Sequence, residues 1–420
     1  MRAGQMVHGG LCVASADDDV SVLVAGAIPG ELVDVELRYR KRQTWFADTV
    51  AAAEASPHRV APPCPYVPEC GGCQLQHVTY AHQLELKSDI VRDALRRQHV
   101  HVPDDVRVLG MGDPWRYRWR GEFHVVPGAS GAADAGLGFN RARSWRPIAV
   151  DDCLIHHDLI TDSLPVLREL VREGSDGALG TLHLTVGDGG AELLLRSRPR
   201  SALSAAAIDR AALRLPHDAR LSVDSTSITW RGRTYRVSPD TFIQVNVAQM
   251  DALYGEVLAA LGDVSRARIV DAYAGVGMLA VELAARGAGV VCIESNRSAA
   301  RLGALNARLH DVEDRVRYAV APVEQEIARA AAGARSLVLD PPRAGCAGSV
   351  TAWIALAGPA NVVYVSCDPA TLARDLHVLV ASGPYTVRAV TVVDMFPQTY
   401  HVETVVSLER AETPGVGASI

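Results

Sequence analysis

Two positions near the C-terminal end of the sequence carry groups that could do covalent chemistry. Cys367 lies in Ser366-Cys367-Asp368-Pro369, which closes an apolar run from Asn361 to Val365. Glu403 lies in His401-Val402-Glu403-Thr404, at the start of another run from Val402 to Leu408. Runs of this length read as buried strands, so a thiol and a carboxylate stand at two strand ends of one sheet. A thiol at the carboxyl edge of an α/β sheet is poised as a nucleophile, and a carboxylate beside it can move a proton. The helix that Pro369 would start is expected to stabilise the thiolate. A buried strand-end cysteine without a catalytic role is the alternative.

The segment Asp271-Ala272-Tyr273-Ala274-Gly275-Val276-Gly277 falls between a strand-like run and an Ala-rich stretch, where glycines let a ligand approach the backbone. It departs from the dinucleotide fingerprint, because Ala280 stands at the third glycine position and Asp271 would repel a pyrophosphate. A leading carboxylate suits a cationic ligand, such as the amino-acid end of S-adenosylmethionine. Glu294, 19 residues past Gly275, can accept hydrogen bonds from two ribose hydroxyls. Asp340-Pro341-Pro342-Arg343 ends a further run, and its prolines stiffen a turn that points Asp340 into the same crevice. Amino-directed nucleic acid methyltransferases use a similar turn with an aromatic residue in place of Arg343, which argues against an exocyclic nitrogen as target.

Cys64, Cys70 and Cys73 form a second constellation, with Cys153 as a fourth member. Thiolates so spaced can converge on one centre, and zinc and a 4Fe-4S cluster are both consistent with four cysteines. Cys12 and Cys292 read as apolar strand residues, and His156 and His157 as surface or turn histidines.

The elements that must position these groups follow from patterning. Residues 1–58 alternate apolar and polar positions between Gly and Pro turns and read as a small OB-like β-barrel, with Arg38, Arg40, Lys41 and Arg42 beside Tyr39 and Trp45 offered to an oligonucleotide. A proline-rich linker then leads into residues 59–240, a β-rich central domain with one amphipathic helix near 80–98 that packs on the catalytic domain, and Gly-rich turns at Gly128 to Gly138 and Gly187 to Gly190. From 241 to 412, apolar runs alternate with Ala-rich helical stretches, the pattern of a Rossmann-like doubly wound α/β sheet with its ligand at the strand carboxyl ends. Residues 413–420 read as a disordered tail.

The 420 residues carry a net charge of -6, so any nucleic acid contact must use local basic patches. Trp115 to Arg120, with Arg141, Arg143 and Arg146, are aromatic and basic enough to hold an unpaired strand. The sequence shows no secretion signal and no apolar run of about 18 residues, so a cytoplasmic protein without a membrane association is expected, with monomer the default.

Taken together, these motifs resemble the RNA uracil-5 methyltransferases, in particular their iron-sulfur branch with an N-terminal TRAM domain. The likeness runs through Ala27 to Glu31, the four cysteines, Phe242-Ile243-Gln244-Val245-Asn246, the Asp271 loop, Asp340 to Arg343, Ser366 to Asp375 and Phe396 to Thr404. It implies a 4Fe-4S cluster on Cys64, Cys70, Cys73 and Cys153. It also implies S-adenosylmethionine contacts from Gln244, Tyr273, Glu294 and Asp340, with Cys367 as nucleophile and Glu403 as base. The implied reaction is methylation of carbon 5 of a uridine in RNA, with 23S ribosomal RNA favoured and transfer RNA the alternative. An inactive RNA-binding or assembly protein is the reading from another class, and the intact Cys367 and Glu403 argue against it. Asp368 replaces a common Asn of the family, Met278 stands where some members have an Asn near the cofactor, and the segment 321–324 lacks another cofactor-region Asn.

Overall fold

Each of the six apolar runs between Arg268 and Val393 forms a strand: Arg268–Ala272, Gly289–Ile293, Val316–Ala319, Ser336–Leu339, Asn361–Ser366 and Tyr385–Val393. This computed structural model describes residues 1–15, 20–128, 131–174, 179–199 and 203–411; the tail expected at 413–420 lies outside them. Together with Glu403–Arg410 and Val106–Leu109 the six runs make one eight-stranded sheet. The first five are mutually parallel, and Glu403–Arg410 inserts antiparallel between Asn361–Ser366 and Tyr385–Val393. Helices cover both faces, which is why the central strands are apolar throughout. Leu253, Val257 and Leu279 pack on one face, and Ile327, Ile354, Leu372 and Leu376 on the other. Strand order reverses between Arg268–Ala272 and Ser336–Leu339, opening a crevice at their carboxyl ends.

Helix Tyr80–Arg97 joins two cores. Val91 and Leu95 sit in the catalytic core, while Leu86 and Ile90 sit in the barrel core, each pair four residues apart on its own face. The strand Val106–Leu109 that follows pairs with Tyr385–Val393, so part of the stretch read as central builds the edge of the catalytic sheet.

The N-terminal sheet has the order Met6–Val7, Leu11–Ser15, Ser21–Ala25, Thr44–Glu54, Leu32–Lys41. It closes through the bridge between Arg2 and Leu32 and the bond from Val33 N to Met1 O at 2.8 Å, which makes it a barrel. Closure removes the open edges that a five-stranded sheet would otherwise expose. Glu31 is buried at the barrel's end, where its carboxylate accepts from Ile28 N at 2.8 Å, Ser56 N at 3.0 Å and Arg59 Nε at 2.6 Å. With Arg59 Nη2 at 2.6 Å as a fourth donor, these bonds satisfy the buried charge and tie the linker to the barrel.

The central six-stranded sheet corrects two expectations. The region Gly128 to Gly138, read as a turn, contains most of the strand Gly131–Asn140; at Gly138 an added Cβ would overlap the Ile148 carbonyl, so glycine there serves close strand approach. The stretch Trp115 to Arg120 is an internal latch and not an exposed RNA strip. Tyr117 is buried and donates to Pro397 O at 2.9 Å, Arg116 pairs with Asp152, and Arg120 donates to Thr241 O at 2.5 Å and Pro239 O at 3.1 Å. Bridges from Arg118 to His156 and Asn246 tie this latch to both neighbouring regions. Among the described residues no helix is long and apolar enough to cross a membrane.

Candidate active site

Ser366 pairs with Thr404 across the antiparallel strands, so the next step of the same ladder sets Cys367 opposite Glu403. Glu403 is buried and also pairs with Val393. Burial, and then Asp340, push the Glu403 carboxyl well above the usual range, while Arg343 opposes them. Burial pushes the Cys367 thiol up to about 12; Glu403 adds to this, Arg343 counters it, and Asp340 adds a little more. The thiol, both carboxylates and Arg343 therefore sense one another.

The sequence reading of the following helix, Pro369–Leu376, needs correction. Its first free N–H groups, on Ala370 and Thr371, are taken by the Asp368 carboxylate at 3.0 and 2.9 Å, so they are not offered to the thiolate. What the helix does is hold Arg343. Thr371 Oγ1 donates to Arg343 O at 3.0 Å, and Asp375, buried, accepts from Cys346 N at 2.8 Å and Tyr364 Oη at 2.6 Å. Arg343 reaches His401 at 3.3 Å, and burial together with that guanidinium pushes the imidazole down to about 3.

The crevice is lined by Gln244, Tyr254, Asp271, Tyr273, Asp340 and Met278, among others. Gly275 and Gly277 have φ of 55° and 78°, which only glycine adopts without strain. A side chain at Gly277 would also overlap the Tyr318 hydroxyl. Burial, reinforced by Asp340 and Glu294, pushes Asp271 up to about 8, and burial pushes Asp340 up to about 7. Asp271, buried, and Asp340, partly buried at the crevice wall, are arranged to receive a cation. Of the four residues expected to contact a cofactor, Gln244, Tyr273 and Asp340 line the crevice. Glu294 stands behind it, accepting from Gly275 N at 2.9 Å and Asn296 N at 2.6 Å and so bracing the glycine loop. Tyr254, on the helix Met250–Leu261, was not picked out from the sequence; nothing local distinguishes it from a core aromatic.

Cys64, Cys70, Cys73 and Cys153 line one cavity of about 270 Å³ that extends to Thr399 and His401. Among the described residues, no group of three or more His, Cys, Asp or Glu side chains is drawn together tightly enough for a metal ion. A single zinc ion, with bonds of about 2.3 Å, needs its thiolates nearly touching, whereas a cluster presents separate irons and holds its thiolates farther apart. Burial pushes Cys153 up to about 12 and raises Cys70 and Cys73, and the neighbouring thiols add to each rise. His156 is buried and its Nδ1 lies 3.1 Å from Cys153 Sγ, which corrects its reading as a surface histidine.

The doubly wound sheet, with a glycine loop and an acidic pair at its crevice, defines an S-adenosylmethionine-dependent methyltransferase fold. A family model described as tRNA (uracil-5-)-methyltransferase matches residues 207–411. The 23S rRNA (uracil(1939)-C(5))-methyltransferase RlmD of Dichelobacter nodosus is 33% identical, covering 95% of each chain. An uncharacterised RNA methyltransferase of Halalkalibacterium halodurans is 34% identical over 96% of this chain and 95% of its own. The chain belongs to this family of uracil-5 methyltransferases. The crystal structure of Pyrococcus abyssi tRNA (uracil-54, C5)-methyltransferase in complex with S-adenosyl-L-homocysteine shares the fold, with a TM-score of 0.73, 23% identity and 97% of this chain and 99% of that chain covered.

Proposed function

We propose that this chain transfers the methyl group of S-adenosylmethionine to carbon 5 of a uridine in RNA, through a covalent adduct between Cys367 and carbon 6. The observation that carries this reading is the placement of Cys367 opposite Glu403 at one sheet edge, beside a crevice lined by Asp340. Carbon 5 of uracil is too weak a nucleophile to accept a methyl group unaided. Once deprotonated, Cys367 adds to carbon 6 and concentrates negative charge at carbon 5, which attacks the sulfonium methyl and releases S-adenosylhomocysteine. Glu403, ionised at that stage, removes the proton left on carbon 5. The electron pair of that C–H bond restores the double bond and expels the thiolate. Arg343 favours the Cys367 thiolate, and the sulfonium brings a second positive charge to the same crevice.

In this reading Gln244, Tyr273 and Asp340 contact the donor directly, and Glu294, at the end of strand Gly289–Ile293, serves its ribose. The four cysteines that line one cavity are the donor set a 4Fe-4S cluster takes. When bound, such a cluster supplies positive irons that offset the cost of four buried thiolates. The barrel of residues 1–58, of the TRAM type, and the central region of 59–240 present the RNA to the methyltransferase domain of 241–412, in a cytoplasmic monomer. Ribosomal RNA of the 23S class is the favoured substrate, supported by the end-to-end likeness to the Dichelobacter protein; transfer RNA is the alternative.

The test is incubation with S-adenosylmethionine and RNA containing 5-fluorouridine, which cannot lose its carbon 5 substituent as a proton. A denaturation-resistant protein–RNA complex should form with the native chain and not with Cys367→Ala. Equal amounts from both would rule out the covalent route.

A further inference from the structure

A second cavity, of about 470 Å³, opens at the turn between the strands Gly131–Asn140 and Pro147–Ala149. Gly71, Gly72 and Phe139 line it together with Arg141, Arg143 and Trp145. The indole of Trp145 is 92% exposed, a large apolar surface that folding alone would bury. The turn that holds it is well fastened. Arg141 N bonds Arg146 O at 2.9 Å, Ala142 N bonds Glu69 O at 2.8 Å, and Arg146 N bonds Ser144 Oγ at 3.0 Å. An exposed indole on a fastened turn, beside guanidinium groups, is a stacking platform.

The turn is coupled to the barrel by one carboxylate. Asp48 accepts from Arg143 at 2.5 Å and from Arg38 Nε at 2.7 Å, so its two oxygens tie the turn to the barrel, while Arg38 also pairs with Glu36 at 2.8 Å. Asp48 lies on the barrel strand Thr44–Glu54, two positions from Phe46, which stacks on Tyr39 with ring centroids 4.7 Å apart and planes within 10°. Tyr39 is itself 42% exposed. Lys41 and Arg42 at the end of that hairpin, and Arg146 on the turn, make no side-chain ion pair among the described residues. Aromatic faces interleaved with unpaired cations match an unpaired nucleic acid strand, whose bases stack while its phosphates pair with the cations. A protein partner would ask for the opposite, an apolar patch depleted of charge.

We propose that Trp145 and Tyr39 are base-stacking platforms of one track for an unpaired segment of the RNA substrate, held in register by the bridge of Asp48 to Arg38 and Arg143. The track rests on the reading that the substrate is RNA and extends it to the nucleotides flanking the target. It adjoins the wall of the cysteine cavity, with which it shares Gly71, Gly72 and Phe139, and the far end of that wall is His401. It also explains how a chain of net charge -6 holds a polyanion: the contact is local.

Two measurements test it on the full-length chain. Anisotropy of a labelled single-stranded RNA dodecamer of mixed sequence reports binding directly. Methylation of ribosomal RNA from cells lacking the protein reports KM and kcat. Trp145→Ala should weaken dodecamer binding and raise KM by about fivefold or more, with kcat moved less than twofold, and Trp145→Phe should restore most of the loss. Arg146→Ala should lower the salt slope of binding by about one. Dodecamer binding by Trp145→Ala within twofold of the native chain would overturn the track, as would a loss confined to kcat. A native chain that methylates no RNA, yet loses dodecamer binding on Trp145→Ala, would overturn the proposed reaction and uphold the track.

Discussion

Lys87 Nζ lies 2.6 Å from Asp394 Oδ1, and both side chains are fully buried. Lys87 also donates to Phe396 O at 3.0 Å. The two residues bind helix Tyr80–Arg97 to the segment 394–402, the connection that returns strand Tyr385–Val393 into Glu403–Arg410. Gln83, one turn earlier, donates to Gln398 Oε1 at 2.9 Å and accepts from Gln398 N at 3.0 Å. Asn246 Nδ2 adds a bond to Met395 O at 3.2 Å. The approach to Glu403 is thus fixed by residues far away in sequence.

Removing one partner of such a pair leaves a buried charge without compensation. Lys87→Ala should therefore lower unfolding stability by about 3–5 kcal/mol, read from urea denaturation. The double variant Lys87→Met with Asp394→Leu should lose much less. Equal losses would mean that the charges themselves contribute little and only packing matters.

Glu403→Gln should form the adduct with unmodified RNA and accumulate it in methylated form, because the carbon 5 proton then has no acceptor. Mass spectrometry of the trapped complex reads this directly. Unchanged turnover would remove Glu403 from the mechanism.

The Cys367 thiol, pushed up to about 12 by burial and its acidic neighbours, has Arg343 as the opposing positive charge. Arg343→Gln should slow alkylation of Cys367 by iodoacetamide at pH 8, since only the thiolate reacts. Peptide mapping isolates this cysteine from the other seven. A faster reaction would show that Arg343 acts by shielding the thiol and not by its charge.

Burial, reinforced by Asp340 and Glu294, pushes Asp271 up to about 8, and removal from water pushes Asp340 up to about 7, both above the usual carboxylate range. A carboxyl raised in the folded state favours folding at pH values below its unfolded pKa of about 3.9, and that contribution is lost as pH rises through its folded pKa. The ligand-free chain should lose this contribution between about pH 4 and 8. Binding of a sulfonium cation favours the ionised forms, so affinity for S-adenosylmethionine should rise from pH 6 to 9, while uncharged-sulfur S-adenosylhomocysteine shows a shallower rise. Calorimetric titrations of both ligands across that range provide the check. Parallel profiles would place the carboxyls elsewhere than beside the sulfur.

Anaerobically purified protein should contain iron and sulfide near four each per chain, and Cys153→Ser should lower both. Stoichiometric zinc without sulfide would instead make the cysteine site a structural zinc centre. His156→Phe should keep the stack on Phe139, whose ring centroid lies 5.4 Å away, and lose only the Nδ1 contact to Cys153, so its iron content should fall less than that of Cys153→Ser.

The sequence by itself determined the catalytic sheet, because strands buried on both faces are written as unbroken apolar runs and their ends are marked by Asp271, Glu294, Asp340 and Cys367. It also marked the four cysteines, whose residue type is rare enough to stand out. Long-range pairing was beyond it. That Ser366 lies against Thr404, that Val106–Leu109 extends the catalytic sheet, and that Lys87 meets Asp394 depend on contacts across up to 307 positions, which no local pattern encodes. The same limit explains the misread stretch from Trp115 to Arg120, since an arginine that donates to buried carbonyls and one that awaits a phosphate have the same local sequence. Only the tertiary structure decided which basic residues face inward, as Arg120 does, and which face outward beside Trp145. The physical reason is that burial is a property of the whole packing, whereas periodicity and composition report only the neighbours along the chain.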